Sequence, residues 1–125
     1  MNGIKSLKNK NFLLPGGKRI GREVAEWLID RGANVAITYL NSEPEAQETK
    51  KLVESKGGRC FIARADVTSE PDVKKFVEGA VGFFGRVHGL IYMASLFPKE
   101  ANAAPAPDDW KKMLDVHLMG AEYFA

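Results

Sequence analysis

Between Leu14 and the next apolar stripe the chain reads Pro15-Gly16-Gly17-Lys18-Arg19-Ile20-Gly21. A glycine turn lets backbone N–H groups point at a ligand, and a helix starting there adds the positive end of its dipole. Together these bind anions, phosphates above all. Gly16 and Gly17 permit the turn, and Gly21 permits close packing of helix on strand. Lys18 and Arg19 are cations able to meet a ribose 2′-phosphate. A plain strand-to-helix turn uses the same residue types, so the flanking elements decide what this one is for.

The other candidates are sparser. The run Tyr39-Leu40-Asn41-Ser42 contains no acid. An acid at that position would bond both ribose hydroxyls and favour NAD. Asp66, with Val67 beside it, follows an apolar run and precedes Thr68-Ser69, where it serves as a turn residue or a ligand contact. His117 lies among apolar helix positions, and a packing residue is the plain reading. His88 sits on a different element and no second histidine lies one turn from either, so no metal site is expected. Cys60 is the single cysteine, set in Cys60-Phe61-Ile62-Ala63. It excludes an internal disulfide and reads as a small buried strand residue.

The elements that must position these residues follow from periodicity. Phe12-Leu13-Leu14 is an unalternating apolar strand, to be buried on both faces. Ile20, Val24 and Leu28 mark a helix over about Arg19 to Arg31, with Gly32 as a left-handed stop. Val35 to Leu40 is the second strand. Ser42, Pro44 and Glu45 open a second helix through a capping box, with Ala46, Leu52 and Val53 inward and Gly57-Gly58 at its end. Arg59 to Ala65 is the third strand. Ser69 and Asp72 repeat the box ahead of a helix with the stripe Val73, Phe76, Val77, Ala80, Val81, Phe84, closed by Gly85. Gly79 and Gly82 in it are places of close packing. His88 to Ala94 is the fourth strand. Asp108 opens a last helix with the stripe Trp110, Met113, Leu114, His117, Leu118, Ala121. Four strands alternating with four helices predict an α/β fold, a parallel sheet covered on both faces.

Size and charge narrow the function. The 125 residues suit one domain, 1–125. Hydrophobic residues are 45% and charged residues 27%, a foldable composition. A net charge of +2 argues for neither nucleic acid nor a membrane surface as partner. No apolar run approaches the ~20 residues that span a bilayer. Residues 1–11 lack the apolar middle of a signal peptide, and a cytoplasmic protein is expected.

Taken in order, these segments resemble the short-chain dehydrogenase/reductase family over about residues 7 to 125, the N-terminal half of that family's domain. Pro15 to Gly21 looks like its glycine loop, one residue short and with Pro15 for the usual Thr. Asp66-Val67 looks like the pair that meets the adenine ring. Leu90-Ile91-Tyr92-Met93-Ala94-Ser95 looks like the Asn-Asn-Ala-Gly segment, with Tyr92 and Met93 in the Asn places and core packing as their role. Trp110 to Gly120 looks like the following helix, with His117 where the family has Asn. The resemblance implies a Rossmann-like sheet of order 3-2-1-4, cut before its fifth strand. It implies a cofactor held by Gly16, Gly17, Lys18, Arg19, Ile20, Gly21, Asn41, Ser42, Asp66, Val67 and Ala94. NADP is favoured over NAD.

The family's hydride transfer also needs a Ser and a Tyr-x-x-x-Lys pair, the Tyr as general acid/base. Tyr39, Tyr92 and Tyr123 all fail that spacing. The reading is therefore an NADP-dependent oxidoreductase by family, not catalytic as this isolated chain. Its alternatives are a non-catalytic dinucleotide-binding module and a half-domain kept for interaction. The apolar edge of the fourth strand and the last helix predict a homo-oligomer, a two-fold dimer, that covers both.

Overall fold

The computed structural model describes residues 6–16, 21–94, 111 and 115–124. Its sheet has four parallel strands in the order β3-β2-β1-β4. They are β1 (Asn11–Leu14), β2 (Asn34–Tyr39), β3 (Cys60–Arg64) and β4 (Gly89–Leu90), joined by α1 (Gly21–Ile29), α2 (Glu43–Ser55) and α3 (Glu70–Phe84). A π-helical turn, Asp115–Met119, leads into α4, Gly120–Phe124. The predicted strand order and fold class stand. Residues 17–20, Asp108, Trp110, Met113 and Leu114 lie outside the described residues, as do the side chains of His117 and Leu118.

Period-two alternation builds two cores from one sheet. Leu14, Val35, Ile37 and Cys60 face α1 and α2, where they meet Ala25, Leu28, Ile29 and Val53. Leu13 and Ala36 face the other way, toward Phe76 and Ala80 of α3. Burying a side chain of this size stabilises the fold by about 1.5–3 kcal/mol relative to leaving it in water. Such burial is what holds α3, whose two internal glycines weaken it locally.

Register links the strands. Phe12 stands beside Val35 and Leu14 beside Ile37. On the other side Phe12 stands beside Gly89, where any Cβ would lie 2.7 Å from the Phe12 ring. The amino ends are tied by side chains. Asn34 Nδ2 donates to Asn11 Oδ1 at 2.9 Å, and Asn11 Nδ2 donates to the Arg86 carbonyl at 2.8 Å. The backbone N–H of Asn11 donates to His88 Nδ1 at 3.0 Å, while that of His88 donates back to the Asn11 carbonyl at 2.8 Å.

Several expectations need correction. The fourth strand is two residues long, with one further bridge, Gly16 to Met93. Ser42 stands at the N-cap of α2, but its side chain makes no cap bond. Its ψ of 49° departs from the extended backbone typical of a cap. Ser69 does cap α3, accepting from the N–H of Asp72 at 3.3 Å. The return bond of that box is not made, because the Asp72 carboxylate reaches Asp66 instead. Val81 is 41% exposed and lies off the buried stripe. Gly79 is a close approach, a Cβ there meeting Phe61 Cζ at 2.8 Å, whereas Gly82 has open space around it.

Candidate functional site

The strand order reverses direction between β1 and β4. In open parallel sheets ligands bind in the crevice outside the carboxyl ends of the strands at such a point. Gly16 stands there. The chain leaves β1 through Gly16 at φ +79°, a left-handed conformation that side chains resist. Its neighbour across the crevice is Ala94, and the Met93 N–H donates to the Pro15 carbonyl at 3.0 Å. The backbone segments that follow β1 and β4 therefore touch, and only glycine fits between them.

Gly21 is the first residue of α1 and is buried. A Cβ there would meet the Gly16 carbonyl and Met93 Cε at 3.8 Å, ordinary contact distance. The helix axis thus begins against the crevice, as an anion site at a helix N-terminus requires. Gly17, Lys18, Arg19 and Ile20, the rest of the glycine loop expected from the sequence, lie outside the described residues.

Thr38 is a site residue that the sequence reading missed. Its Oγ1 accepts from the Gly16 N–H at 2.9 Å, tying the end of β2 to the turn after β1. A threonine closing an apolar strand is the only local signal for it. The Gly16 amide is consequently already engaged by protein. Arg22 is the second residue missed. With Gly16, Tyr39 and Ser42 it lines a cavity of about 220 Å³ between α1, β2 and α2. Glu23, Glu45 and Glu48 line it too, so three acidic residues and one described basic residue border the cavity. Asn41 is exposed beside it.

Asp66 lies at the carboxyl end of β3, in the turn before α3. Its Oδ1 accepts from the Thr68 N–H at 2.9 Å and from the Thr68 hydroxyl at 2.6 Å. Its own N–H donates to Asp72 Oδ2 at 3.0 Å. The turn role is therefore real, and Val67 lies half-buried within that turn. The structure brings Gly16, Gly21 and Ala94 together in one crevice. Ser42 lines the neighbouring cavity, and Asp66 sits one strand further along the same edge.

Tyr92 does more than pack. Its hydroxyl donates to the Val116 carbonyl in the π-helical turn, and its ring meets Phe124 edge-on at 5.9 Å. Burial pushes the phenol up to about 12, so it keeps its proton at neutral pH. Cys60 is buried as expected, and burial raises its thiol to about 12, which removes it as a nucleophile. Among the described residues no cluster of His, Cys, Asp and Glu suits a metal ion.

A doubly wound parallel sheet with a glycine turn at its switch point is a Rossmann fold. A family model described as Enoyl-(Acyl carrier protein) reductase matches residues 17–125. A 3-oxoacyl-[acyl-carrier-protein] reductase of Staphylococcus epidermidis is 30% identical over 113 residues, 90% of this chain and 46% of that protein. A short-chain dehydrogenase/reductase homolog of Bacillus subtilis is 37% identical over 81 residues, 65% of this chain and 74% of that protein. Among solved structures, a short chain dehydrogenase from Burkholderia cenocepacia in complex with NADP superposes with a TM-score of 0.88 at 30% identity, covering 96% of this chain and 49% of that one. The chain belongs to the short-chain dehydrogenase/reductase family of oxidoreductases. It spans about half the length of the Staphylococcus relative and of the Burkholderia structure.

Proposed function

We propose that this chain is the cofactor-binding part of an NADP-linked reductase, a cytoplasmic protein that does not transfer hydride unaided. The observation that carries this reading is Gly16. It turns the chain at φ +79° in a crevice where a side chain has no room, at the switch point of the sheet. NADP supplies a hydride-carrying nicotinamide. The residues that would hold it are Gly16, Gly17, Ile20 and Gly21 at the pyrophosphate and Lys18 and Arg19 at the 2′-phosphate. Asn41 and Ser42 would serve the ribose, Asp66 and Val67 the adenine, and Ala94 would border the cofactor beside Gly16 in the crevice. Hydride transfer needs a proton donor as well, and no Tyr-x-x-x-Lys occurs in the 125 residues.

Preference for NADP rests on the two loop cations and on the acid-free run Tyr39 to Ser42, with an NADP-bound structural relative in support. A second reading, NAD, draws on Glu23, Glu45 and Glu48 around the cavity, which repel a phosphate and accept from ribose hydroxyls. Titrations followed by NADPH and NADH fluorescence decide between them. Tighter binding of NADPH, lost in Lys18→Ala/Arg19→Ala, supports the first. Equal or tighter binding of NADH supports the second. Absence of binding at millimolar cofactor leaves an interaction half-domain, and carbonyl-dependent NADPH oxidation by the pure chain refutes the non-catalytic part.

The reading includes a two-fold dimer. Leu90 of β4, the edge strand of the sheet among the described residues, is 41% exposed. A second copy paired there would cover it. Light scattering at micromolar concentration reads the mass directly, and a clean monomer removes the dimer.

A further inference from the structure

We propose that Tyr92 is a positioning residue that links the docking of the C-terminal helical turn to the shape of the cofactor crevice. The proposal rests on the cofactor reading above. Tyr92 and Met93 are consecutive and point to opposite faces of the sheet. Met93 packs with the α1 core, and its Cε lies near the first residue of α1. Its N–H holds the Pro15 carbonyl, and it bridges to Gly16. Tyr92 reaches the other way, to the Val116 carbonyl and the Phe124 ring. Two adjacent residues thus hold the glycine turn on one side and the last helix on the other.

The geometry makes this a linkage rather than two separate contacts. β4 has only two ladder residues, and the segment after it is held by the N–H groups of Ile91 and Met93, which donate to the Leu13 and Pro15 carbonyls at 2.9 and 3.0 Å, and on the opposite face by the grip of Tyr92. Ala94, next along, fills the space above Gly16 to within the reach of a single Cβ. A shift of residues 92–94 therefore changes the width of the crevice at Gly16. The hydroxyl bond is to a backbone carbonyl in a π-helical turn, a place where regular i→i−4 bonding is interrupted and an acceptor is available. A ligand that favours one crevice width then favours the latched state of the helix, and the effect is reciprocal.

Hydrogen–deuterium exchange on the full chain, wild type against Tyr92→Phe, tests this. Without cofactor, Y92F is expected to speed exchange in residues 115–124 and also around Gly16 and Ala94. A rise confined to 115–124, or no rise, overturns the linkage. With NADPH, the wild type is expected to slow exchange in 115–124, and Y92F to bind NADPH about fivefold more weakly, the low end of coupling between linked sites. A tether with only a local structural role would leave that affinity unchanged. Protection around Gly16 with residues 115–124 unaffected overturns the proposal while leaving cofactor binding intact. If NADPH protects nothing, the cofactor reading fails, and the cofactor-free comparison alone decides the linkage. Should Y92F not fold, Phe124→Leu probes the same grip through the ring contact with the hydroxyl retained, and the same two segments must respond together.

Discussion

Gly16 and Ala94 are in backbone contact across the crevice: a Cβ on Gly16 would lie 2.4 Å from Ala94 Cα and 2.5 Å from its nitrogen. The overlap is with main chain, which no rotamer change relieves. The left-handed backbone at φ +79° adds about 1–2 kcal/mol for any L side chain. Gly16→Ala is therefore expected to lower stability by more than about 2 kcal/mol, read from urea midpoints. A larger residue at Gly16 consequently tests folding as much as cofactor binding. Gly21→Ala meets its neighbours at 3.8 Å and should leave stability unchanged or raise it by up to about 1 kcal/mol. Equal losses at both positions would refute this placement.

The two glycines of α3 should respond with opposite signs. At Gly82 a Cβ meets nothing within 4 Å, so Gly82→Ala adds helix propensity, up to about 1 kcal/mol. At Gly79 the Cβ would press on Phe61 Cζ at 2.8 Å. Phe61 is itself held against Phe76 and Phe83, with ring centroids 6.0 and 5.6 Å away. Displacing it costs about 1–3 kcal/mol and outweighs the propensity gain. Thermal melts of the two variants should move apart from the wild type in opposite directions.

The two serines before helices are alike in sequence and unlike in structure. Ser69→Ala removes a cap bond to Asp72 N–H and should cost about 1 kcal/mol. Ser42→Ala removes no cap bond and should stay within about 0.5 kcal/mol of wild type. Denaturant unfolding monitored by circular dichroism ranks them, and a larger loss at Ser42 would contradict the cap geometry.

His88 predicts a pH dependence. Its Nδ1 accepts the Asn11 N–H and must be unprotonated to do so. Desolvation, then Lys10 and Arg86, lower its pKa below 6.5. Because the folded value is the lower one, the unfolded chain takes up the proton first. The contribution is present above pH 6.5 and is lost as pH falls from there through the folded value. Stability should thus fall between pH 7 and pH 5, and His88→Gln should flatten that part of the profile. An unchanged slope in the variant would assign the pH dependence to other groups.

None of the described helices is long and apolar enough to cross a bilayer. The described side chains also explain why the last helix need not present all of its apolar face to water. Phe124 packs edge-on against Phe76 at 6.2 Å and against Tyr92, so part of that face is used within the chain.

Much of this fold was legible without coordinates, for a local reason. Strands without alternation, helices with a 3.6-residue stripe, glycine stops at Gly32 and Gly85 and the βα rhythm all depend on neighbours in sequence. They dictated the parallel sheet and the place of the glycine turn, while the strand order 3-2-1-4 was implied by the resemblance to the short-chain dehydrogenase/reductase family and is the order the sheet has. What only the tertiary structure decided are contacts between residues far apart in the chain. Gly16 meets Thr38 across 22 residues and Ala94 across the crevice; Tyr92 meets Val116 across 24. Asp72 looked like half of a capping box and turned instead to the N–H of Asp66. Val81 shares the period of the buried stripe yet faces water, because burial depends on where the sheet ends as well as on helical phase. Hydrogen-bond partners and exposure are set by which surfaces meet, and local periodicity carries no information about that meeting.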